Sequence, residues 1–304
     1  MSQLASGNSG ALITKYAYHG SSAATMQFSP ESISQKNLPR HVQTIFAPTS
    51  DTPFRKPDSG INNAITALGE QGHQPAMLLL DTSFVSDGIY TSPKDYLSIL
   101  YTKTRAAGGF SIADEVQGGF GRLGQHFWGF QFDDVIPDIV TMGKPMGNGH
   151  PLAAVVTRPE IAEVIANKTG YFNTFGGNPV SCAAGLAVLE VIEKEGLQQN
   201  ALEVGQYLKE RLTVLQKDYP VIGEKHGSGL LQGIDMIKPG GASDPKLADR
   251  LMNNMRENGV LVGTTGPNYA TLKIRPPIVF QKEHADTLLD ALTKALDELT
   301  SIKA

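Results

Sequence analysis

The stretch "DIVTMGKPMGNGHP", residues 138 to 151, sets one lysine where a hydrophobic run gives way to a turn-rich one. Asp138, Ile139, Val140, Thr141 and Met142 read as a short buried strand, with Pro137 ahead of them. Gly143, Pro145, Gly147, Gly149 and Pro151 then punctuate the chain. Lys144 therefore stands at the mouth of a core strand, and the sequence around it has to explain why.

Upstream, "FSIADEVQ" (110 to 117) reads as a strand, and so does "PAMLLLDTSF" (75 to 84). Between them "SPKDYLSILYTKTRAAGG" has a Ser/Pro start, helical spacing and a Gly stop. "NNAITALGEQG" predicts another helix, and Ala11 to Tyr16 a strand that ends in a turn at His19-Gly20. This alternation predicts an α/β fold with a mostly parallel sheet flanked by helices. The opening up to Gly10 reads as polar and loose. Residues 29 to 60 read as an extended loop, because they hold Pro30, Pro39, Pro48, Pro53 and Pro57. Pro179 to Leu215 reads as one long helix broken near Gly196. Beyond Val221, "LLQGIDMI" and "TLKIRPPIVF" alternate with helices over 245–258 and 282–300, which predicts a smaller C-terminal α+β domain. The expected organisation is a large domain over 1–178, an interdomain helix over 179–215 and a small domain over 216–304.

Composition removes several classes of function. The 304 residues are 40% hydrophobic and 18% charged, enough for a real core. Lys and Arg total 26 against 30 Asp and Glu, a net charge of -4 with no basic cluster, which argues against a nucleic-acid partner. No apolar stretch reaches membrane-spanning length, and "MSQLASGNSG" lacks the basic and apolar regions of a signal peptide. The single cysteine, Cys182, fits a reducing compartment, so a cytoplasmic protein without a metal site is expected.

In a parallel sheet, ligands sit beyond the carboxyl ends of the strands. Three such ends here carry Tyr18-His19-Gly20, Asp114-Glu115-Val116-Gln117 and Lys144. Taken singly, each has an ordinary reading: a lysine in a turn is solvated surface, an aspartate at a strand end is a cap, and Tyr-His-Gly is a turn. Taken together they match the needs of pyridoxal 5′-phosphate, which requires a lysine amine for its aldehyde and an acid to keep its ring nitrogen protonated. Lys144 and Asp114 supply these. Tyr18 or His19 could stack on the ring, Val116 could pack on its other face, and Gln117 could donate to the ring hydroxyl.

"AYHG", "ADEVQGGFGRLG", "PDIVTMGKPMGNGHPLAAVV" and "YFNTFGGNPVSCAAGLAVLEVIE", in this order, resemble the class III aminotransferases of the fold-type I superfamily. "GQHFWGFQ" and "KIRPPIVF" are most similar to the branch of alanine–glyoxylate aminotransferase 2-like proteins and amino-alcohol phosphate phospho-lyases. The resemblance runs from about Ala17 nearly to the C-terminus. It implies the pyridoxal-phosphate transferase fold, Lys144 as the Schiff-base lysine and Asp114 as partner of the pyridine nitrogen. It further implies Tyr18 stacked on the ring, Val116 on the other face, Gln117 near the ring oxygen and Glu115 in support, while the plainer reading of His19 is that it only orients the Tyr18 turn. Thr174 matches a threonine that reaches the cofactor phosphate of a neighbouring subunit, which implies a homodimer with shared sites acting on an amine or amino acid and a keto acid.

The chain departs from the family pattern twice. Relatives cradle the cofactor phosphate in a Ser/Gly-rich loop well upstream of the Tyr-His-Gly turn. Only 17 residues precede Tyr18, and "SGNSG" (6 to 10) leads into a strand, so a flexible start and a missing N-terminal portion are expected. An inactive remnant is therefore an alternative to an aminotransferase. Lys273 also stands where many relatives have the arginine that clamps a substrate carboxylate, and Arg275 follows two residues on. Two residues apart in a strand means one face, so the pair has three readings: a holder of a substrate carboxylate, a holder of a phosphate, or a solvated basic edge. The phosphate option makes a phospho-lyase on a phosphorylated amino alcohol the other alternative.

Overall fold

Neighbouring parallel strands need a crossover of a dozen or more residues, and helices supply it here. The computed structural model describes residues 1–48 and 57–300. In it β1 (Gly10–Thr14), β2 (Val42–Ile45), β3 (Pro75–Asp81), β4 (Phe110–Asp114), β5 (Ile139–Met142) and β6 (Ala154–Thr157) form one sheet. Their order is β2-β1-β3-β4-β5-β6. β1 to β5 are mutually parallel, and β6 returns antiparallel to β5. β1 and β3 are buried at every position, as expected of strands covered on both faces. The helix Pro57–Glu70 brings Ile61, Ala64 and Leu68 to this core, and Tyr96–Ala106 brings Leu97, Leu100, Tyr101 and Thr104. Both stripes have helical spacing.

One buried carboxylate fixes the strand starts. Asp138 accepts the backbone N–H of Ser111 at 2.8 Å, Arg105 Nε at 3.0 Å and Arg158 Nη2 at 3.1 Å. The register that follows pairs Asp81 with Asp114 and Asp114 with Thr141, so β3, β4 and β5 finish level with one another.

The chain divides into two compact units, and each is described by itself. The first comprises Met1–Phe84, Thr91–Phe120 and Trp128–Val191; the second comprises Val85–Tyr90, Gly121–Phe127 and Ile192–Ala304. In the second, β7 (Ile222–Ser228), β8 (Leu231–Met236), β9 (Gly263–Thr265) and β10 (Thr271–Ile274) form an antiparallel sheet ordered β7-β8-β10-β9. The helices Leu197–Asp218, Pro245–Glu257 and Lys282–Thr300 pack Leu208, Leu212, Leu251 and Leu292 against Ile234, Met236 and Leu272 of that sheet. Asp244 caps Pro245–Glu257 by accepting the N–H of Leu247 at 3.1 Å.

Two local expectations fail. The opening is not loose: Ser2–Ser6 is helical and ends at Gly7 in the left-handed conformation. Asn8 Nδ2 then donates to Pro75 O at 2.8 Å, and Gly10 lies so close to Gln74 O that a Cβ would come within 2.7 Å of it. "SGNSG" is thus the entry to a core strand, with its glycines serving a cap and a close backbone approach. The proline-rich stretch is not all loop either, because Val42–Ile45 pairs with β1. β2 stands at the edge of the sheet, where flanking prolines such as Pro39 and Pro48 are tolerated. Residues 49–56 of the expected loop, Pro53 among them, lie outside the described residues. The long helix is two, Pro179–Lys194 and Leu197–Asp218, with Gly196 in the left-handed conformation between them.

The segment Val85–Tyr90 is tied to the second unit's sheet by a histidine. His226 Nδ1 donates to Ile89 O at 2.8 Å, and Nε2 lies 3.2 Å from Asp235 Oδ1, which also accepts Thr271 Oγ1 at 2.6 Å. The imidazole stacks on Tyr90 with ring centroids 4.7 Å apart. Both ring nitrogens face acceptors, the pattern of a charged imidazolium. Burial opposes that charge, but Asp235, the Ile89 carbonyl and Glu224 outweigh it and hold the pKa above the ordinary value. A raised histidine pKa stabilises the fold below about pH 6.5, and that stability is lost as pH rises through the folded value. The difference in Tm between wild type and His226→Asn should therefore be largest near pH 6 and shrink by pH 9. A difference constant over that range would show a neutral histidine.

Candidate active site at the carboxyl ends of the parallel strands

β4 ends at Asp114 and β5 ends at Met142, two residues before Lys144, so both chemical groups stand at the carboxyl edge of the parallel strands. Tyr18-His19-Gly20 follows β1 at the same edge. Ser29, fully buried, holds that turn: it accepts the N–H of His19 at 2.9 Å, and its hydroxyl reaches Gly20 O at 2.9 Å. The result is a buried pair, with His19 Nδ1 2.7 Å from Asp114 Oδ2 and the two side chains only 2% and 12% exposed. His19 Nε2 is buried and has no hydrogen-bond partner among the described residues, a polar atom whose solitude is costly.

The loops after β4 and β5 meet beside this pair. Val116 N–H donates to Asp114 Oδ1 at 3.3 Å, and a Cβ built on Gly143 would stand 4.0 Å from Val116 Cγ2. Gln117 comes next and is half-buried. Lys144 opens the short 3-10 turn Lys144–Gly147 with φ 38°, in the left-handed region that side chains avoid. Its side chain is exposed. Tyr18 is 36% exposed, and Thr174 lies on the exposed turn ahead of the helix Pro179–Lys194. Lys273 and Arg275 belong to the second unit, on β10 and just past it. β10 is flanked by β8 and β9, so the pair is not on a sheet edge.

Glu115 does structural work that its place in the motif only hints at. It is fully buried, and it accepts Thr82 Oγ1 at 2.8 Å, Gly129 N–H at 2.8 Å and Phe130 N–H at 3.0 Å. These bonds tie the ends of β3 and β4 to the loop around Trp128. Gly129 has to be glycine, since a Cβ there would overlap Thr82 Oγ1. Sequence reasoning missed Ser29 and Thr82, and it did not foresee that the His19 ring meets Asp114. Only the strand-end position of Thr82, one residue after Asp81, was a signal.

The family model for aminotransferase class III matches residues 2–296. The chain belongs to the class III aminotransferases. That match begins ahead of Ala17, where the motifs start to be legible. Members of the family use pyridoxal 5′-phosphate. Among relatives, an alanine–glyoxylate aminotransferase 2 homolog of Arabidopsis thaliana is 40% identical over 98% of this chain and 64% of its own length. An ethanolamine-phosphate phospho-lyase homolog of Caenorhabditis elegans is 35% identical over 96% of this chain and 67% of its own. The chain thus spans about two thirds of these class III relatives. Among solved structures, a phospholyase from Arthrobacter in complex with phosphoethanolamine superposes with a TM-score of 0.92 at 38% identity, covering 97% of this chain and 72% of that one. An S-selective transaminase from Bacillus megaterium gives 0.86 at 26%, covering 99% and 73%. Among the described residues no helix is long and apolar enough to cross a membrane.

Burial pushes the Glu115 carboxyl up to about 7, against the three donors that favour its charge. The native state then holds this proton more tightly than the unfolded chain does, so the group's contribution to stability falls as pH rises from about 4.5 to 7. Glu115→Gln, neutral at every pH, should remove that part of the pH dependence of Tm. If wild type and variant melt with the same pH profile from 5 to 8, the carboxyl is charged throughout and its donors outweigh burial.

Proposed function

We propose that the chain is a pyridoxal 5′-phosphate-dependent aminotransferase, moving an amino group between an amine or amino acid and a keto acid. The observation that carries this reading is the buried His19–Asp114 pair at the strand edge that also bears Lys144. The donor set fits the cofactor: an exposed primary amine for its aldehyde, a carboxylate for its ring nitrogen, and an apolar Val116 beside them. When bound, the cofactor supplies an electron-withdrawing ring that acidifies the substrate carbon next to the nitrogen. Asp114 holds the proton on the ring nitrogen, and His19 fixes the orientation of Asp114 by donating from Nδ1. Lys144 holds the cofactor through Nζ and, once released, carries the proton to and from the substrate carbon. The left-handed backbone at Lys144 supports this role, since strain of that kind persists where function demands it. Tyr18 and Gln117 are proposed to contact the ring, Thr174 a partner subunit's cofactor phosphate, and Lys273 with Arg275 the acidic group of the substrate.

A homodimer is part of the proposal. Phe172, Phe175 and Val180 are each more than 70% exposed, and Val155 and Val156 on β6 more than half. Such an apolar face on the unit that bears Thr174 is suited to a second copy. The cytoplasm is the proposed setting on the strength of the single cysteine, although the Arabidopsis relative is named as mitochondrial.

The second reading is a phospho-lyase that expels phosphate from a phosphorylated amino alcohol, supported by the likeness to the phosphoethanolamine-bound Arthrobacter enzyme. Protein incubated with pyridoxal 5′-phosphate and reduced with borohydride should carry the label on Lys144, and Lys144→Ala should carry none there. Label on Lys103 or Lys168 instead would overturn the assignment. Asp114→Asn should keep the label and lose turnover by about two to four orders of magnitude. Normal turnover in that variant would make Asp114 purely structural. Phosphate release from phosphoethanolamine selects the lyase; amino transfer to a keto acid without it selects the aminotransferase.

A further inference from the structure

Lys144, Asn148 and Gly149 have positive φ, at 38°, 44° and 104°, a region that only glycine adopts freely. The turn they form is closed by short bonds of its own. Met146 N–H donates to Gly143 O at 3.0 Å, Asn148 N–H to Pro145 O at 3.1 Å and His150 N–H to Gly147 O at 2.9 Å. A backbone of this kind persists where its surroundings hold it. The helix Pro179–Lys194, in the same unit, does so from one face. Ser181 and Gly185, both buried and four residues apart, lie one above the other on that helix. A Cβ on Gly185 would stand 2.7 Å from Leu152 Cδ2 and 3.7 Å from Met146 O, so helix and turn are in contact there. Ser181 Oγ and His150 Nε2 are hydrogen-bonded at 2.7 Å. Asn178 completes the arrangement. Its Oδ1 accepts the N–H of Ser181 at 3.0 Å, capping the helix, and its Nδ2 donates to Ser181 Oγ at 2.9 Å and to Phe175 O at 2.8 Å. A side-chain amide has two N–H donors, and both are used. His150, Ser181 and Asn178 thus join the turn of Lys144 to the turn of Thr174.

We propose that His150, Ser181 and Asn178 are positioning residues of the candidate site: they fix the turn from which Lys144 meets the cofactor's aldehyde, and they hold the turn of Thr174 to it. This rests on the roles proposed above for Lys144 and Thr174. The Lys144 side chain is exposed, so the place of its amine is set by the backbone that carries it and not by an enclosing wall. Ser181 is the central member, since it bonds to both of the others and is itself only 9% exposed. Removing its hydroxyl breaks the chain at both bonds, which leaves the disfavoured turn with fewer supports. Each such bond shifts the held state by about fivefold.

The test uses the full chain as wild type, Ser181→Ala, Ser181→Thr and His150→Phe, each kept well below its own Tm. Amide hydrogen exchange over residues 143–150 is followed without cofactor. The rate at which added pyridoxal 5′-phosphate labels Lys144 is then read by quenching with borohydride at intervals and mapping peptides. Ser181→Ala and His150→Phe should speed the exchange and slow the labelling, each by about fivefold or more. Ser181→Thr retains the hydroxyl and should restore both. A residue that merely supports the helix would lower the Tm and leave the labelling rate of Lys144 at its wild-type value, and that result would overturn the proposal. So would a Ser181→Thr protein that labels as slowly as Ser181→Ala. A wild type that takes no label on Lys144 defeats the proposed function instead, and hydrogen exchange then decides this inference alone: faster exchange over 143–150 in both disruptive variants supports it, and unchanged exchange overturns it.

Discussion

The site depends on how β3, β4 and β5 end together. Their register sets Asp81, Asp114 and Thr141 in one row, with Thr82 and Glu115 one residue further on. Carboxylates gathered at the edge of a hydrophobic sheet repel one another and lose their water, so each needs its own partners. Asp114 takes His19, whereas Glu115 takes Thr82, Gly129 and Phe130. Because the partners differ, so do the roles. Glu115 is enclosed by donors and ties three segments together. Among the described residues Asp114 has an imidazole on one oxygen and only a long backbone contact on the other, so it remains the carboxylate with capacity for a ligand.

The same edge shows why the neighbouring turn has its shape. After β5 the chain must leave the sheet and return as β6 within a dozen residues, which Gly143, Gly147 and Gly149 permit. Lys144 takes a left-handed φ at the first step, a conformation costing roughly 1–2 kcal/mol for a residue with a Cβ. Glycine there would avoid the cost, so the choice of lysine is one that fold stability alone does not explain.

Much of this was legible in the residues. Apolar runs of β3, β4 and β5 bounded by turn residues, and helices with Ser/Pro starts and Gly stops, gave the parallel sheet and the strand-end position of Asp114 and Lys144. The helix at Ser2–Ser6 was hidden because it spans barely one turn and is held by tertiary contacts such as that of Asn8 with Pro75. β2 was hidden because proline density argues against strands in general and says nothing about an edge. The His19–Asp114 contact joins positions 95 residues apart, and no local pattern encodes such a distance. The exposure of Lys144 was likewise invisible, since a lysine after a buried strand reads the same whether its side chain is covered or not.

Transfer and elimination begin alike on a common scaffold, with a proton leaving the carbon beside the nitrogen, so Lys144 and Asp114 cannot tell them apart. They differ in the fate of the group at the substrate's far end. A carboxylate there stays on throughout, and a cation that holds it contributes binding equally to ground and transition states. A phosphate that departs gains negative charge as its bond breaks, so the same cation stabilises the transition state more than the ground state. An arginine facing that end would therefore lower KM in an aminotransferase but raise kcat in a lyase.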